Sequence, residues 1–156
     1  MDDDPEFIAN MEDDVKQERD DVLAMTETDI SGGAYPLRFA GLHKQFPPKV
    51  EGGTPLKAVN DLNLRLPQGE IFGLLGANGA GKTTAISMVM RALYPTAGNI
   101  QICGSSVLSD FKNASKHLGV VTQHNTLWNR LSCRDHLNLF ARLRGVPQHL
   151  VKPLVA

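Results

Sequence analysis

The residues best suited to chemistry are the run Gly76-Ala77-Asn78-Gly79-Ala80-Gly81-Lys82-Thr83-Thr84. Their spacing fits G-x-x-x-x-G-K-[ST], the pattern of a phosphate-binding loop. Gly76, Gly79 and Gly81 let the backbone wrap closely round a polyphosphate. The N–H groups of the stretch, those of Asn78 and Ala80 included, then point inward as an anion nest. A helix opening at this point adds the positive end of its dipole and its unpaired N–H groups. Lys82 places a charge between the β- and γ-phosphates, and the Thr83 hydroxyl completes a Mg²⁺ shell. The expected chemistry is that of a nucleoside triphosphate.

Such a loop must be held between a strand and a helix. Before it, Glu70-Ile71-Phe72-Gly73-Leu74-Leu75 is a short apolar run, as expected of a buried parallel strand. After it, Ile86, Val89, Met90 and Leu93 recur at the spacing of one helix face, and Tyr94-Pro95 ends the helix. Upstream, residues 37–46 read as a strand and 47–55 as a loop rich in Pro and Gly. Leu62, Leu64 and Leu66 alternate with polar neighbours as a half-buried strand does, and Leu66-Pro67-Gln68-Gly69 suits a type I turn. Downstream, residues 99–104 read as another strand, and Ser109 or Asp110 caps a helix bearing Phe111, Ala114 and Leu118. Residues 118–122 read as a buried strand that delivers Gln123 at its carboxyl end, where open α/β sheets place ligand-binding residues. Ser132-Cys133-Arg134-Asp135 has capping-box spacing, and the helix it starts ends at Gly145 and Pro147.

Composition narrows the classes. A chain of 156 residues is one domain by length. No apolar run is long enough to span a bilayer, and the acidic start is unlike a signal peptide. Cys103 and Cys133 show no metal-ligand spacing and read as unpaired buried thiols. The net charge of −1 conceals a segment 1–34 at −10 and a remainder at +9. The first segment reads as a solvated, disordered tail or a lone exposed helix, and a regulatory arm folding back on the basic domain is the alternative. Ser31-Gly32-Gly33 reads as a flexible joint. The bases of the remainder are scattered singly with no nucleic-acid motif, so nucleic acid is not expected as a partner.

Taken in order, the entry strands, the NGAGKTT loop, the Gly98-Asn99-Ile100 strand start and Gln123 resemble the first half of the nucleotide-binding domain of an ATP-binding-cassette (ABC) protein. Val121-Thr122-Gln123-His124-Asn125-Thr126-Leu127-Trp128, then Leu131-Ser132-Cys133-Arg134-Asp135-His136-Leu137 and Phe140-Ala141-Arg142-Leu143-Arg144-Gly145-Val146, are similar to the A subfamily, whose members move lipids. The resemblance covers about residues 37–147. It implies an α/β P-loop NTPase fold: a RecA-like parallel sheet core, an N-terminal antiparallel β-subdomain and the start of a helical subdomain. Residues 1–35 would be an acidic, disordered arm and Gly linker, and 36–156 a partial nucleotide-binding domain.

The resemblance also implies roles. Gly76, Asn78, Gly79, Ala80, Gly81, Lys82, Thr83 and Thr84 would contact the phosphates of ATP, with Thr83 and Gln123 at the Mg²⁺ ion. Lys82 and Gln123 would serve catalysis, and Gln123 would link the site to a transmembrane domain. Phe46 stands where the family has an aromatic stacked on adenine, usually Tyr; a core phenylalanine is the plainer reading, as an ordinary polar strand end is for Gln123. The implied partners are a second nucleotide-binding domain and transmembrane domains, with this domain on the cytoplasmic side of a membrane. The Leu-Ser-Gly-Gly-Gln signature, the aspartate strand with its catalytic glutamate, and the switch histidine do not appear. The chain alone is therefore expected to be inactive as an ATPase. The alternatives are a stand-alone, non-catalytic nucleotide-binding module and an ABC ATPase outside transport.

Overall fold

The computed structural model describes residues 5–26, 28–29, 33–123 and 126–155. It divides into two compact units, Met1–Gly119 and Val120–Ala156.

The first unit is built on a four-stranded antiparallel sheet. Its strands are β1 (Leu37–Phe46), β2 (Leu56–Leu66), β3 (Ala97–Ile102) and β4 (Ser105–Ser106), in the order β2-β1-β3-β4. β1 is central because its apolar positions recur often enough to be covered: Phe39 and Leu42 are buried in a core with Ile100, Ile102 and Val107. Helix α3 (Lys82–Val89) closes that core with Met88 and Val89, and Ala114 of the short helix α4 (Phe111–Ala114) joins it. The helix face differs from the expected one. Ala85, Met88 and Val89 point inward while Ile86 is exposed, and the helix stops at Val89 rather than running to Leu93. β2 is longer than expected, starting at Leu56, and Cys103-Gly104 turn the chain into β4 instead of extending β3.

The ladder between β1 and β2 is irregular. Three steps along β1 from Phe39 to Leu42 match two along β2 from Leu64 to Leu62, so β1 bulges next to Gly41 (φ 53°). From Leu42 to Lys44 the excess reverses, and β2 bulges at Asn60 and Asp61. A further excess residue in β2, Ala58, has no partner between Lys44↔Val59 and Gln45↔Lys57.

Two expectations give way here. Residues 70–75, read as a buried parallel strand, belong to no strand and are exposed throughout, Ile71 fully so. Residues 118–122 likewise pair with nothing in a sheet, and Val121 is 99% exposed. A strand buried on both faces needs ladder neighbours and a covering layer on each side. Among the described residues neither run has them. The second correction is the acidic arm. Rather than being disordered, its residues 5–9 and 13–24 form helices α1 (Pro5–Ala9) and α2 (Asp13–Ala24), and α2 packs on β1 and β2. Ser31 and Gly32 of the expected joint lie outside the described residues.

The second unit is a helical hairpin of α5 (Cys133–Leu143) and α6 (Gln148–Val155). The capping box forms as expected: Asp135 N–H donates to Ser132 Oγ, while Ser132 N–H and Oγ–H donate to Asp135 Oδ2. α6 lies beyond the last expected element and buries Val151. Both cysteines are free and, against expectation, exposed: Cys103 sits in the turn after β3, and Cys133 opens α5.

Candidate functional site

The loop of residues 76–81 leads directly into α3, so the glycine run and the helix N-terminus are continuous as the motif requires. Gly81 is the helix N-cap at φ 86°, a region L side chains avoid. A Cβ there would stand 2.2 Å from the Ala58 carbonyl oxygen of β2, so only glycine lets the helix start this close to the sheet. Across the loop, a Cβ at Gly79 would meet nothing, so that side is open.

Lys82, the first residue of α3, folds back over the loop. Its Nζ donates to the carbonyl oxygens of Gly76 at 2.6 Å and Ala77 at 2.8 Å. The ammonium is therefore held over the first turn of the glycine run, at the mouth of the cradle its backbone forms. The loop is tied further by Ala80 N–H to Ala77 O, and the helix by Ala85 N–H to Gly81 O. Thr83 is exposed and Thr84 half-buried in the first turn of α3, with Asn78 and Ala80 exposed on the loop. An ammonium, two hydroxyls and an open glycine loop at a helix start form a donor set that fits a polyphosphate with its Mg²⁺. No group of three or more His, Cys, Asp or Glu among the described residues forms a metal site of its own.

Phe46 ends β1 and pairs with Leu56, two residues before the Ala58 that backs Gly81. The start of β2 thus flanks both Phe46 and the glycine loop. One face of the Phe46 ring carries the Lys44 ammonium at 5.1 Å, and Lys44 Nζ also donates to Tyr94 O at 2.6 Å. Phe46 is only half-buried and is absent from the core cluster, which weakens the plain reading of it as a core residue. Gln123 is exposed in a bend of the second unit. Beside it in sequence, the Trp128 loop is fastened by His136. Trp128 N–H donates to His136 Nε2 at 2.9 Å, and His136 Nδ1 meets Ser132 O at 2.9 Å. The ring therefore carries its proton on Nδ1. Trp128 and Phe140 lie against the same imidazole at 6.4 and 6.5 Å between ring centroids.

The structure brings together Gly76, Gly81 and Lys82, with Thr83 and Thr84 following in the same helix. Ala58 is the contributor that sequence reasoning missed. Nothing in an alanine inside an alternating stretch signals that its carbonyl will abut a glycine 23 positions later, and only the bulge reveals it.

Known proteins resemble this chain in sequence and in fold. A family model described as ABC transporter matches residues 59–152. ABC transporter A family member 2 of Dictyostelium discoideum is 39% identical over 142 residues, covering 91% of this chain and 8% of that protein. ABC transporter A family member 10 of Arabidopsis thaliana is 38% identical over 133 residues, covering 85% of this chain and 14% of its own length. A solved ATP-binding subunit of an ABC transporter superposes with a TM-score of 0.60 at 25% identity, over 72% of this chain and 44% of that one. The ATP-binding cassette MJ0796, solved as a post-hydrolysis dimer with ADP and Pi, gives a TM-score of 0.61 at 19% identity over 76% and 53%, a likeness of fold. The chain spans only 8 to 16% of the length of such curated relatives, and about half of the solved domains.

Proposed function

The chain belongs to the ABC transporter family, with relatives in the A subfamily, and from that premise we propose that it binds Mg-ATP through Gly76–Thr84 as part of a transporter's nucleotide-binding domain. ATP hydrolysis is the activity of the family; coupling to transport, with lipid as the cargo, is the reading proposed for the whole protein. The observation that carries the proposal is Lys82, whose ammonium is held by two loop carbonyls at the mouth of an open glycine cradle. An arriving phosphate offers that ammonium stronger, charge-assisted bonds than two neutral carbonyls do. The Thr83 hydroxyl and the Gln123 amide would take places around the Mg²⁺ ion, and Phe46 would offer a ring face to the adenine. Mg-ATP supplies the reactive phosphoanhydride and the cation that neutralises it. Lys82 supplies the fixed positive charge beside it.

A second nucleotide-binding domain and transmembrane domains are the proposed partners, with the domain on the cytoplasmic side. No helix among the described residues is long and apolar enough to cross a membrane. Because the 156 residues contain neither the signature nor the catalytic glutamate, the polypeptide by itself is expected to bind without sustained turnover. Binding of a fluorescent ATP analogue, competed by ATP, tests the reading. Lys82→Ala should weaken it by about 10- to 100-fold, the worth of hydrogen bonds to a charged group. Equal affinity in the two forms, or no saturable binding by the unmodified chain, would overturn it.

A further inference from the structure

The acidic helix α2 is not a passive tail: its contacts converge on the strand that backs the phosphate loop. Arg19 Nε donates to Asp61 Oδ2 at 2.7 Å, with the two side chains only 11% and 5% exposed. Val22 is fully buried beside it, and Arg38 of β1 donates to the Val22 carbonyl oxygen. Arg65, at the far end of β2, donates to Asp21, lies 3.3 Å from Glu18, and gives its backbone N–H to Glu18 Oε1 at 2.7 Å. Of the helix's exposed acids, Asp13 and Asp14 suit its N-terminus.

Asp61 is an unusual residue to hold this way. It lies in the β2 bulge at φ 48°, in the left-handed region, which aspartate tolerates better than most side chains, and its surroundings hold it there. Those surroundings are Arg19 on Oδ2, the Asn63 amide donating to Oδ1 at 2.9 Å, and the His43 imidazole accepting the Asp61 N–H at 3.3 Å. Asn63 in turn accepts the Gly41 N–H at 2.7 Å, joining the β1 bulge to the same cluster. Three residues along β2 from Asp61, Ala58 is the unpaired residue whose carbonyl abuts Gly81 at the start of α3. The path from α2 to the loop therefore runs through one short, doubly bulged piece of strand.

We infer that α2 is a positioning strap for the phosphate loop, with Arg19 and Asp61 as positioning residues. Docked, α2 holds the Asp61 bulge and thereby the register of residues 58–61 that sets Ala58 against Gly81. Released, it lets that register relax and weakens nucleotide binding without any contact with nucleotide being removed. The inference rests on the nucleotide-binding reading above and adds to it a coupling between two ends of the first unit. Such coupling is reciprocal: if docking of α2 favours nucleotide, nucleotide must favour docking of α2.

That reciprocity is the test. Amide hydrogen exchange of residues 13–24 is measured on the full chain with and without saturating Mg-ATP, and nucleotide affinity is measured for Arg19→Glu and Arg19→Lys. Expected are slower exchange of α2 amides when nucleotide is bound and affinity about fivefold or more weaker in Arg19→Glu. Arg19→Lys, which keeps the charge beside Asp61, should remain near the unmodified value. A merely structural helix would gain no protection beyond the slowing that bound nucleotide gives every amide exchanging through global unfolding of the unit. Exchange in residues 13–24 that is unchanged by bound nucleotide overturns the inference, whether or not Arg19→Glu folds. So does an Arg19→Glu protein whose α2 exchanges freely while it binds nucleotide as the unmodified chain does. If the unmodified chain binds no nucleotide, the nucleotide-binding reading itself fails and takes the strap with it.

Discussion

Helices α2 and α5 have nearly the same length, twelve and eleven residues, and are held by opposite means. α5 is fastened locally. Its Ser132–Asp135 capping box closes within four residues at the exposed N-terminus, and His136 ties the preceding Trp128 loop to the same turn. α2 has no side-chain cap at all. It is held at its middle and C-terminal half by partners 16 to 47 positions away, through a desolvated ion pair, a second arginine between two carboxylates and Arg38 on the Val22 carbonyl. A local fastening sets where a helix begins. A distant one decides whether the helix stays on its sheet.

The contrast predicts very different sensitivities. The largest belongs to Arg19. Truncating it leaves Asp61 charged, almost fully buried and without its cation, and breaking a buried pair in this one-sided way costs about 3–5 kcal/mol. Arg19→Ala should therefore lose a large part of the first unit's stability in chemical denaturation. Neutralising both partners sharpens the point. Arg19→Met with Asp61→Asn buries no unpaired charge, and asparagine tolerates the positive φ of position 61. The double variant should recover most of the loss. A double variant as unstable as Arg19→Ala would show that the ion pair itself, rather than the cost of orphaning it, holds α2.

In the second unit the corresponding test is His136, buried between Trp128 and Phe140. His136→Ala removes the acceptor of the Trp128 N–H, and the net loss of such a hydrogen bond beside water costs about 0.5–1.5 kcal/mol. The Trp128 amide should exchange faster with solvent as its loop loosens, while the helical signal of α5 persists because the capping box is untouched. Loss of α5 along with the faster exchange would mean that the histidine, not the box, is the main fastening.

The same distinction explains what could be read from the sequence. The capping box, the phosphate loop with its helix start, and the turn-bounded strands β1 and β3 are encoded within a few residues each. Their signals survive in a single sequence. Arg19, Asp61 and Ala58 carry no such signal. An arginine in an acidic helix looks like a solvated charge until a strand 42 positions on presents a carboxylate to it. The runs at 70–75 and 118–122 show the converse. Their apolar composition marks strands, but a strand is made by its neighbours, and the described sheet offers none to either. Lys82 is singled out by spacing alone. That its ammonium would be held by the Gly76 and Ala77 carbonyls required the folded loop.

The smallest effect, and the one that tests the local side of the contrast most directly, is the titration of Asp135. Two hydrogen bonds from Ser132, the hydroxyl first and the backbone N–H second, favour its carboxylate and hold its pKa below the ordinary 3.8. Slight burial opposes this, and the charge of Arg134 assists it. A carboxyl whose folded pKa lies below its unfolded value contributes stability that is fully present above the ordinary value and is lost as pH falls through the folded one. The cap of α5 should therefore be intact at neutral pH and open only in acid below the usual carboxylate range. Ser132→Ala removes the hydroxyl bond and should move the Asp135 midpoint up toward 3.8, read by side-chain carboxyl NMR. The carboxylate is exposed, so the shift should be clear in the titration while the unit's overall stability changes little. An Asp135 midpoint at the ordinary value in the unmodified chain would mean the box is not closed in solution. The fastening of α5 would then fall to His136, and the contrast with α2 would narrow to one buried side chain against another.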